Sequence, residues 1–265
     1  MNSTESDIKN KVKEKYAEIA VISERKCCCG SNNKVVDYTI LKDEYDKLEG
    51  YVKDADLGLG CGLPTEFAGI KKGDTVVDLG SGAGNDVFVA RAIVGDEGKV
   101  IGLDFTYEMV NKAISNNQKL GFKNVDFRLG EIESMPIKNE IADVVISNCV
   151  LNLVPDKRKA FAEIFRILKS GAHFCVSDIV IKGELHPELK KSAEMYAGCV
   201  AGALQQDEYI NIINETGFKD VEIKKTKTIA LPDELLLKYL SPDEIENYKK
   251  KIEGIYSITV VANKN

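Results

Sequence analysis

Cysteines are the residues whose type and spacing most directly suggest chemistry in this sequence. The chain of 265 residues contains seven of them, an odd number, and Cys27, Cys28 and Cys29 are consecutive. Neighbouring Cα atoms lie about 3.8 Å apart, which is closer than disulfide geometry usually requires. These three would therefore pair with a distant thiol sooner than with each other. Thiols that stay reduced serve as ligands or redox groups rather than as a disulfide scaffold.

Three further cysteines lie where a ligand could be held. Cys61 has a glycine on each side, so we expect the backbone there to lie close to a ligand. Cys149 directly follows the fourth predicted strand, and Cys199 lies in a stretch of small residues near the carboxyl-terminal third of the chain. By contrast, Cys175 falls inside a predicted strand, where we expect a small core residue.

A glycine-rich loop follows the first predicted strand and directly precedes a helix. Gly80, Gly82 and Gly84 let the chain turn tightly and bring bare backbone against a ligand. A dinucleotide-binding fingerprint would require its third glycine at the position of Asn85. The GxGxG spacing, preceded by Asp78, instead resembles motif I of the class I S-adenosylmethionine-dependent methyltransferases.

The resemblance to motif I implies how the cofactor would be held. Asp78 would act around its amino group, Asp104 at the end of the second strand would accept both ribose hydroxyls, and Gly130-Glu131-Ile132 would contact the adenine. These positions fall at the carboxyl ends of predicted strands, where open α/β sheets bind ligands. The expected cofactor-binding residues are Asp78, Gly80, Gly82, Gly84, Asp104, Phe105, Glu131, Ile132 and Asn148.

The cysteine pattern, taken with this loop, resembles that of the arsenite methyltransferases. That family has a cysteine in an N-terminal arm, a glycine-flanked cysteine before the core, one in an S-N-C-V-x-N-L stretch and one before G-A-L. This chain matches them at Cys27–Cys29, Cys61, Cys149 and Cys199. Motif I is shared by the whole superfamily, whereas the stretch SNCVLNLVPDK beginning at Ser147 is specific.

The resemblance implies an acceptor and a reductant as well as the methyl donor S-adenosylmethionine. Arsenic(III), as arsenite or its thiol conjugate, would be held by Cys61, Cys149 and Cys199, because a soft ion prefers thiolates. Its lone pair can attack the methyl group in line, so the main task of the enzyme is positioning. Turnover would need a dithiol reductant, either a thioredoxin-like protein or a small thiol, with Cys27–Cys29 in the relay.

The sequence departs from the family at two points. Some members place an acidic residue just before the last of the four cysteines, where this chain has Gly198. Some relatives carry a C-terminal pair of thiols, whereas no cysteine follows Cys199 here. A proton-handling role at position 198 is therefore unsupported, and recycling would depend on the cysteines already named.

Two other interpretations of the motifs remain open. A small-molecule C-methyltransferase resembling those of menaquinone and ubiquinone synthesis would explain the glycine loop but not the cysteine pattern. A non-catalytic thiol site for zinc or a metalloid would usually show CxxC-like pairs, which are absent here. Such a store would also have no need of the cofactor loop.

Composition excludes several classes of partner. The chain has 36 basic and 42 acidic residues, a formal net charge of −6, and no basic block, so we expect no nucleic-acid surface. No apolar run approaches the roughly 18 residues of a membrane span. The N-terminus is charged throughout and lacks the apolar run of a signal peptide. These features predict a cytoplasmic protein that acts on a small molecule.

The elements that must position these residues follow an alternating pattern. Strands and helices alternate from residue 75 onward, which predicts an α/β, doubly wound Rossmann-like sheet covered on both faces. The expected parts are an N-terminal arm (1–66), a cofactor-binding core (67–180), and a helical insertion with two closing strands on the substrate side (181–265). The predicted strands are Thr75–Leu79, Lys99–Asp104, Val125–Leu129, Asp143–Asn148, His173–Val180, Val221–Ile229 and Ile255–Asn263. The predicted helices are residues 5–20, Asp86–Val94, Tyr107–Leu120, Lys157–Leu168 and Asp233–Lys251, and Glu188–Thr216 is expected to be mostly helical.

Overall fold

The computed structural model describes most of the chain. It covers residues 5–25, 45–184, 186–191, 200, 202–251 and 254–265. Four of the cysteines singled out above, Cys27, Cys28, Cys29 and Cys199, lie outside the described residues.

Eight strands form one mixed sheet in the described residues. They are β1 (Thr75–Leu79), β2 (Lys99–Asp104), β3 (Val125–Leu129), β4 (Ala142–Asn148), β5 (Leu168–Lys182), β6 (Leu204–Gln205), β7 (Lys219–Ile229) and β8 (Gly254–Asn263). Their order is β3-β2-β1-β4-β5-β8-β7, with β6 beside the end of β5. The first five pair in parallel, whereas β8 is antiparallel to both β5 and β7. The strand order reverses between β1 and β4, where doubly wound sheets bind ligands.

Helices cover both faces of this sheet, as the alternating pattern predicts. They are α1 (Glu5–Arg25), α2 (Pro64–Phe67), α3 (Asn85–Val94), α4 (Tyr107–Leu120), α5 (Lys157–Ile167), α6 (Pro187–Lys191), α7 (Gln206–Thr216), α8 (Asp233–Leu236) and α9 (Pro242–Lys251). On one face, Phe161 of α5 and Tyr209 of α7 pack with strand residues in the largest apolar cluster. On the other face, Val87 and Phe88 of α3 pack against β1 and β2. The predicted doubly wound α/β fold is confirmed. No helix of the described segments is long and apolar enough to cross a bilayer.

Two of the predicted helices are wrong in extent. The segment predicted as helical over Glu188–Thr216 contains β6, because Leu204 and Gln205 pair in parallel with Val180 and Ile181. Within the same segment, residues 192–199 and 201 lie outside the described residues. The prediction over Asp233–Lys251 is divided between α8 and α9. The division comes at Pro242, which begins α9 because proline lacks the N–H that a continuing helix needs.

Candidate active site

A cavity lies at the carboxyl ends of β1, β2 and β4, at the point where the strand order reverses. It brings together eight of the nine residues expected to bind the cofactor, all except Gly84. It also reaches Cys149, and its remaining wall includes residues that no sequence motif marked. Among these are Lys9, Tyr16, Tyr45, Ser81, Asn85 and Asp86.

The three glycines of the loop have different structural roles. A Cβ at Gly80 would lie 2.4 Å from a methyl carbon of Val150, and one at Gly84 would lie 2.8 Å from the Phe88 ring. At Gly82 a Cβ would meet nothing within 4 Å, and this residue lines the cavity. All three have positive φ, which favours glycine. Gly80 and Gly84 are therefore required by packing, and Gly82 supplies the bare backbone that faces a ligand.

Three buried carboxylates face this loop. Asp78 lies in β1, Asp86 lies in the first turn of α3, and Asp104 is the last residue of β2. Burial raises the pKa of Asp78 well above its ordinary value, and the negative charges of Asp86 and Asp104 raise it further. Burial also raises the pKa of Asp104, although backbone N–H groups of Thr106 and Gly82 donate to its two oxygens and oppose the shift. A ligand that carries positive charge would relieve this repulsion.

Lys9 is the one basic side chain on the described cavity wall, and it does not pair with the three buried carboxylates. Lys9 of α1 forms ion pairs with Glu131 at 2.8 Å and with Glu133 at 2.9 Å. Glu131 belongs to the segment expected to contact the adenine. The helix α1 therefore lies at one mouth of the cavity, and Lys9 pairs with Glu131 and Glu133 there instead of with Asp78 or Asp104.

Cys61 and Cys149 meet beside the cavity. Their side chains are 1% and 3% exposed, and both residues bond to the carbonyl oxygen of Ser177 in β5. The N–H of Cys149 donates to that oxygen at 2.7 Å, and the Cys61 Sγ donates to it at 3.7 Å. Cys149 has a φ of 60°, a strained conformation for a residue other than glycine, of the kind that clusters at functional sites. Cys149 lines the cavity, whereas Cys61 adjoins the lining residue Gly60 without lining the cavity itself.

The glycines around Cys61 allow the loop to pack closely within the protein, and Gly60 also lines the cavity. A Cβ at Gly60 would lie 2.7 Å from Asn148 Nδ2, and one at Gly62 would lie 2.4 Å from Ser177 Oγ. The backbone of this loop thus lies directly on the ends of β4 and β5. The backbone therefore packs closely on the sheet at both glycines, and its approach to a ligand at Gly60, which lines the cavity, stays a prediction.

Asn148 lies between the cavity and the Cys61 loop. Its Oδ1 accepts the N–H of Cys61 at 3.0 Å, and its Nδ2 donates to the carbonyl of Gly62 at 2.8 Å. Tyr45 and Asp86 complete this arrangement and were missed in the sequence. The position of Asp86 in the first turn after the glycine loop was a usable signal. Tyr45 offered none, because it lies in an irregular segment far from the loop in sequence.

Cys175 lies in the core, as expected. It is fully buried in β5, its Sγ donates to the Pro64 carbonyl at 3.2 Å, and burial raises its thiol pKa to about 12. No three His, Cys, Asp or Glu side chains of the described residues come together as a metal site. The proposed third arsenic ligand, Cys199, and the arm residues Cys27–Cys29 lie outside the part of the chain that the structure describes.

Comparison with known proteins agrees with this fold. A family model described as a methyltransferase domain matches residues 70–217, more than half of the chain. The fold, the glycine loop and this match together place the chain among the methyltransferase-domain proteins.

Individual relatives indicate which family of methyltransferases the chain resembles. The arsenite methyltransferase of Halobacterium salinarum is 40% identical over 80% of this chain and 57% of its own length. That of Aquipseudomonas alcaligenes is 35% identical over 68% of this chain and 54% of its own length. The crystal structure of an arsenic(III) S-adenosylmethionine methyltransferase from Chlamydomonas reinhardtii is 33% identical. It superposes with a TM-score of 0.65 over 77% of this chain and 67% of that one.

The chain belongs to the arsenite methyltransferase family, within the class I methyltransferases. It spans about half the length of the curated relatives it matches.

Proposed function

We propose that this protein transfers methyl groups from S-adenosylmethionine to trivalent arsenic held by cysteine thiolates. The observation that carries the proposal is the meeting of Cys61 and Cys149 on one carbonyl oxygen, that of Ser177, beside the cavity. Thiolates are the ligands that soft arsenic(III) prefers. The names of the relatives support the same acceptor.

The cavity fits S-adenosylmethionine, which when bound supplies an electrophilic methyl group on a positively charged sulfur. Gly82 offers bare backbone, and the buried carboxylates favour a ligand with positive charge. Ser81 Oγ and Asn85 Oδ1 are buried on the cavity wall without a hydrogen-bond partner among the described residues. Buried polar atoms are seldom left unpaired, so a polar ligand at this position would satisfy them.

Arsenic binding needs no separate base at the thiols. Each thiol that replaces a hydroxide of arsenite gives its proton to that hydroxide, which leaves as water. Buried neutral thiols such as Cys61 and Cys149 can therefore form As–S bonds directly. We assign the third sulfur to Cys199, and the enclosure of the site excludes bulk water from the bound arsenic.

Methyl transfer then forms an As–C bond and breaks the S–CH₃ bond, with the arsenic lone pair as the nucleophile. Arsenic gives up two electrons formally, so a second transfer requires its reduction to the trivalent state. A dithiol can supply the two electrons and becomes a disulfide. We assign that role to a thioredoxin-like protein or a small thiol, with Cys27–Cys29 in the relay. Because this chemistry needs reduced thiols, the cytoplasm is the proposed location.

The test is direct. Purified protein is incubated with arsenite, S-adenosylmethionine and a dithiol reductant, and the arsenic species are separated by chromatography with elemental detection. Methylated arsenic should appear with the wild type and with Cys175→Ser, whose thiol lies in the core. Failure of the wild type to methylate arsenite, together with transfer to a demethylated quinone, would establish the C-methyltransferase alternative.

A further inference from the structure

We propose that Tyr45 is a positioning residue that holds the Cys61 thiol beside Cys149, acting through Asp86 and Asn148. The inference rests on the proposed function only in assigning the thiols to the acceptor. The hydrogen bonds themselves belong to a buried network that connects the cofactor cavity to the Cys61 loop.

Counting donors fixes the direction of each hydrogen bond. The single hydroxyl hydrogen of Tyr45 lies within reach of Asp86 at 2.9 Å and of the Gly62 carbonyl at 3.2 Å. A carboxylate is the stronger acceptor, so Tyr45 donates to Asp86. Asn148 Nδ2 has two hydrogens and three acceptors within reach, namely the Tyr45 oxygen, the Gly62 carbonyl at 2.8 Å and Asp86 Oδ2 at 3.2 Å. The two shorter contacts, to Tyr45 and Gly62, take the two hydrogens, and the longer contact to Asp86 shares one of them. The Asn148 Oδ1 is left facing the N–H of Cys61.

This order of bonds also fixes the orientation of the Asn148 carboxamide. With Nδ2 held by Tyr45 and Gly62, only Oδ1 can face the Cys61 N–H, so the amide cannot be flipped. The carboxamide therefore accepts the N–H of Cys61 and donates to the carbonyl of Gly62, one residue further along the loop. Chains of hydrogen bonds of this kind strengthen one another in a dry interior.

The two hydrogen bonds from Asn148 to the loop determine where the Cys61 thiol lies. The peptides around Cys61 are pressed onto β4 and β5 so closely that Gly60 and Gly62 have no room for side chains. With the loop in this place, the Cys61 Sγ lies 3.7 Å from the Ser177 oxygen that also accepts the Cys149 N–H. A loosened loop would let one thiol move relative to the other.

Burial and charge keep the network in one state at neutral pH. Tyr45 is 5% exposed and Asp86 is 7% exposed, so water cannot readily replace a lost hydroxyl. Burial and the nearby Asp86 charge raise the pKa of Tyr45 well above its ordinary value, which keeps it a donor. Burial raises the pKa of Asp86 to about 6 against the opposing hydrogen bonds of Asn148 and Tyr45, which leaves it mostly ionised at pH 7.

The experiment compares Tyr45→Phe with a matched control, Tyr248→Phe. Tyr248 is also buried, packs in the same apolar cluster as Cys61 and Cys149, and its hydroxyl has no hydrogen-bond partner in the described residues. Alkylation of Cys61 by iodoacetamide is followed by mass spectrometry of the folded protein. Single-turnover arsenite methylation is measured at saturating S-adenosylmethionine, so that a change in cofactor affinity does not enter the rate.

Tyr45→Phe should make Cys61 react about two- to tenfold faster with iodoacetamide, the range expected for one lost hydrogen bond. It should slow single-turnover methylation by a similar factor, while Tyr248→Phe behaves like the wild type in both assays. If Tyr45→Phe does not fold, the near-isosteric Asp86→Asn should shift both readouts in the same direction, by about two- to threefold.

Equal Cys61 alkylation in Tyr45→Phe and Tyr248→Phe would overturn the positioning role, even if the wild type methylates arsenite. Faster alkylation with an unchanged methylation rate would overturn it as well. Faster alkylation in an enzyme whose wild type does not methylate arsenite would instead uphold the network and reject the arsenic acceptor, so the two failures are distinguishable.

Discussion

At the scale of single residues, the site consists of buried thiols and carboxylates whose surroundings already exclude water. Cys149 is held with a φ of 60° by its bond to the Ser177 carbonyl. Serine can adopt the same backbone and has nearly the same size, so Cys→Ser changes remove the thiol with little effect on the fold. Cys175 is the internal control, because it is equally buried but lies in the core.

The effects of the Cys→Ser substitutions should differ according to the number of sulfur ligands that each arsenic substrate needs. Arsenite needs three ligands, whereas monomethylated trivalent arsenic needs two. We expect Cys61→Ser to lose methylation of arsenite and keep that of the monomethylated species. Cys149→Ser and Cys199→Ser should lose both, and Cys175→Ser neither. Speciation of the products by chromatography decides this. A Cys149→Ser enzyme that methylates either substrate at the wild-type rate would exclude the thiolate mechanism.

Asp104→Ala should weaken S-adenosylmethionine binding by about 1.5–3 kcal/mol, or roughly ten- to more than a hundredfold. The change would remove the carboxylate that we expect to accept the ribose hydroxyls, and with it the acceptor of the Gly82 and Thr106 N–H groups. Isothermal titration calorimetry measures the change. Asp126→Ala serves as the control, since Asp126 lies on β3 and pairs with Arg128 away from the cavity. Binding equal to the wild type would refute the ribose assignment.

At the scale of elements, β1, β2 and α3 each deliver one carboxylate to the same cavity. No element alone concentrates the charge; it follows from the reversal of strand order between β1 and β4. Since burial raises the pKa of Asp86 to about 6, from 3.8 when exposed, the folded protein holds more protons than the unfolded chain between these values. The contribution of Asp86 to stability therefore falls as the pH rises from about 4 to about 6.

Cofactor affinity should have the opposite pH dependence. A cationic ligand binds the ionised carboxylates, so affinity for S-adenosylmethionine should rise from pH 5 to pH 7. If binding releases one proton, the affinity should rise by at most about tenfold per pH unit. S-adenosylhomocysteine lacks the sulfonium charge, and its affinity should change less over the same range. Calorimetry of both ligands at several pH values tests this. Identical pH profiles for the two would contradict the electrostatic role of the carboxylates.

At the scale of the whole molecule, segments from both ends of the described chain meet at one site. In α1, Lys9 pairs with Glu131 and Glu133 across the mouth of the cavity. At the other end, Ser257 of β8 donates to the carbonyl of Cys61. The cofactor side and the thiol side of the site are thus each tied down by a segment distant in sequence.

Lys9→Met should loosen α1 from the cavity mouth without affecting the core. Its partners are partly exposed, and exposed pairs contribute about 0.2–1 kcal/mol. We therefore expect the cofactor to dissociate about two- to fivefold faster from Lys9→Met than from the wild type. This difference should shrink at high salt, because salt screens the ion pairs of Lys9 in the wild type. Stopped-flow measurement of the dissociation rate provides the test, with Lys119→Met as the control, because Lys119 pairs with Asp54 on the surface. Equal rates in the two variants would argue against a closing role for α1.

Much of the fold was available from local sequence. The strands β1 to β5 and the helices α3 to α5 follow from apolar runs, alternation and a glycine loop, which are properties of consecutive residues. The wrong prediction of one continuous helix over Asp233–Lys251 could also have been avoided from the sequence. Ser241 and Glu244 exchange side-chain to backbone hydrogen bonds around Pro242, and this S-x-x-E capping box marks the start of α9 in the sequence itself.

The sequence by itself determined the glycine loop, the acidic strand ends and the cysteine pattern, because each is a short motif with its own local chemistry. Only the tertiary structure decided that Cys61 and Cys149 share the Ser177 carbonyl, and that Tyr45, Asp86 and Asn148 hold the Cys61 loop. Tyr45 and Asn148 are 103 positions apart in the chain. Their contact depends on how β4, α3 and the irregular segment before β1 pack together, and no periodicity within any of these segments records it.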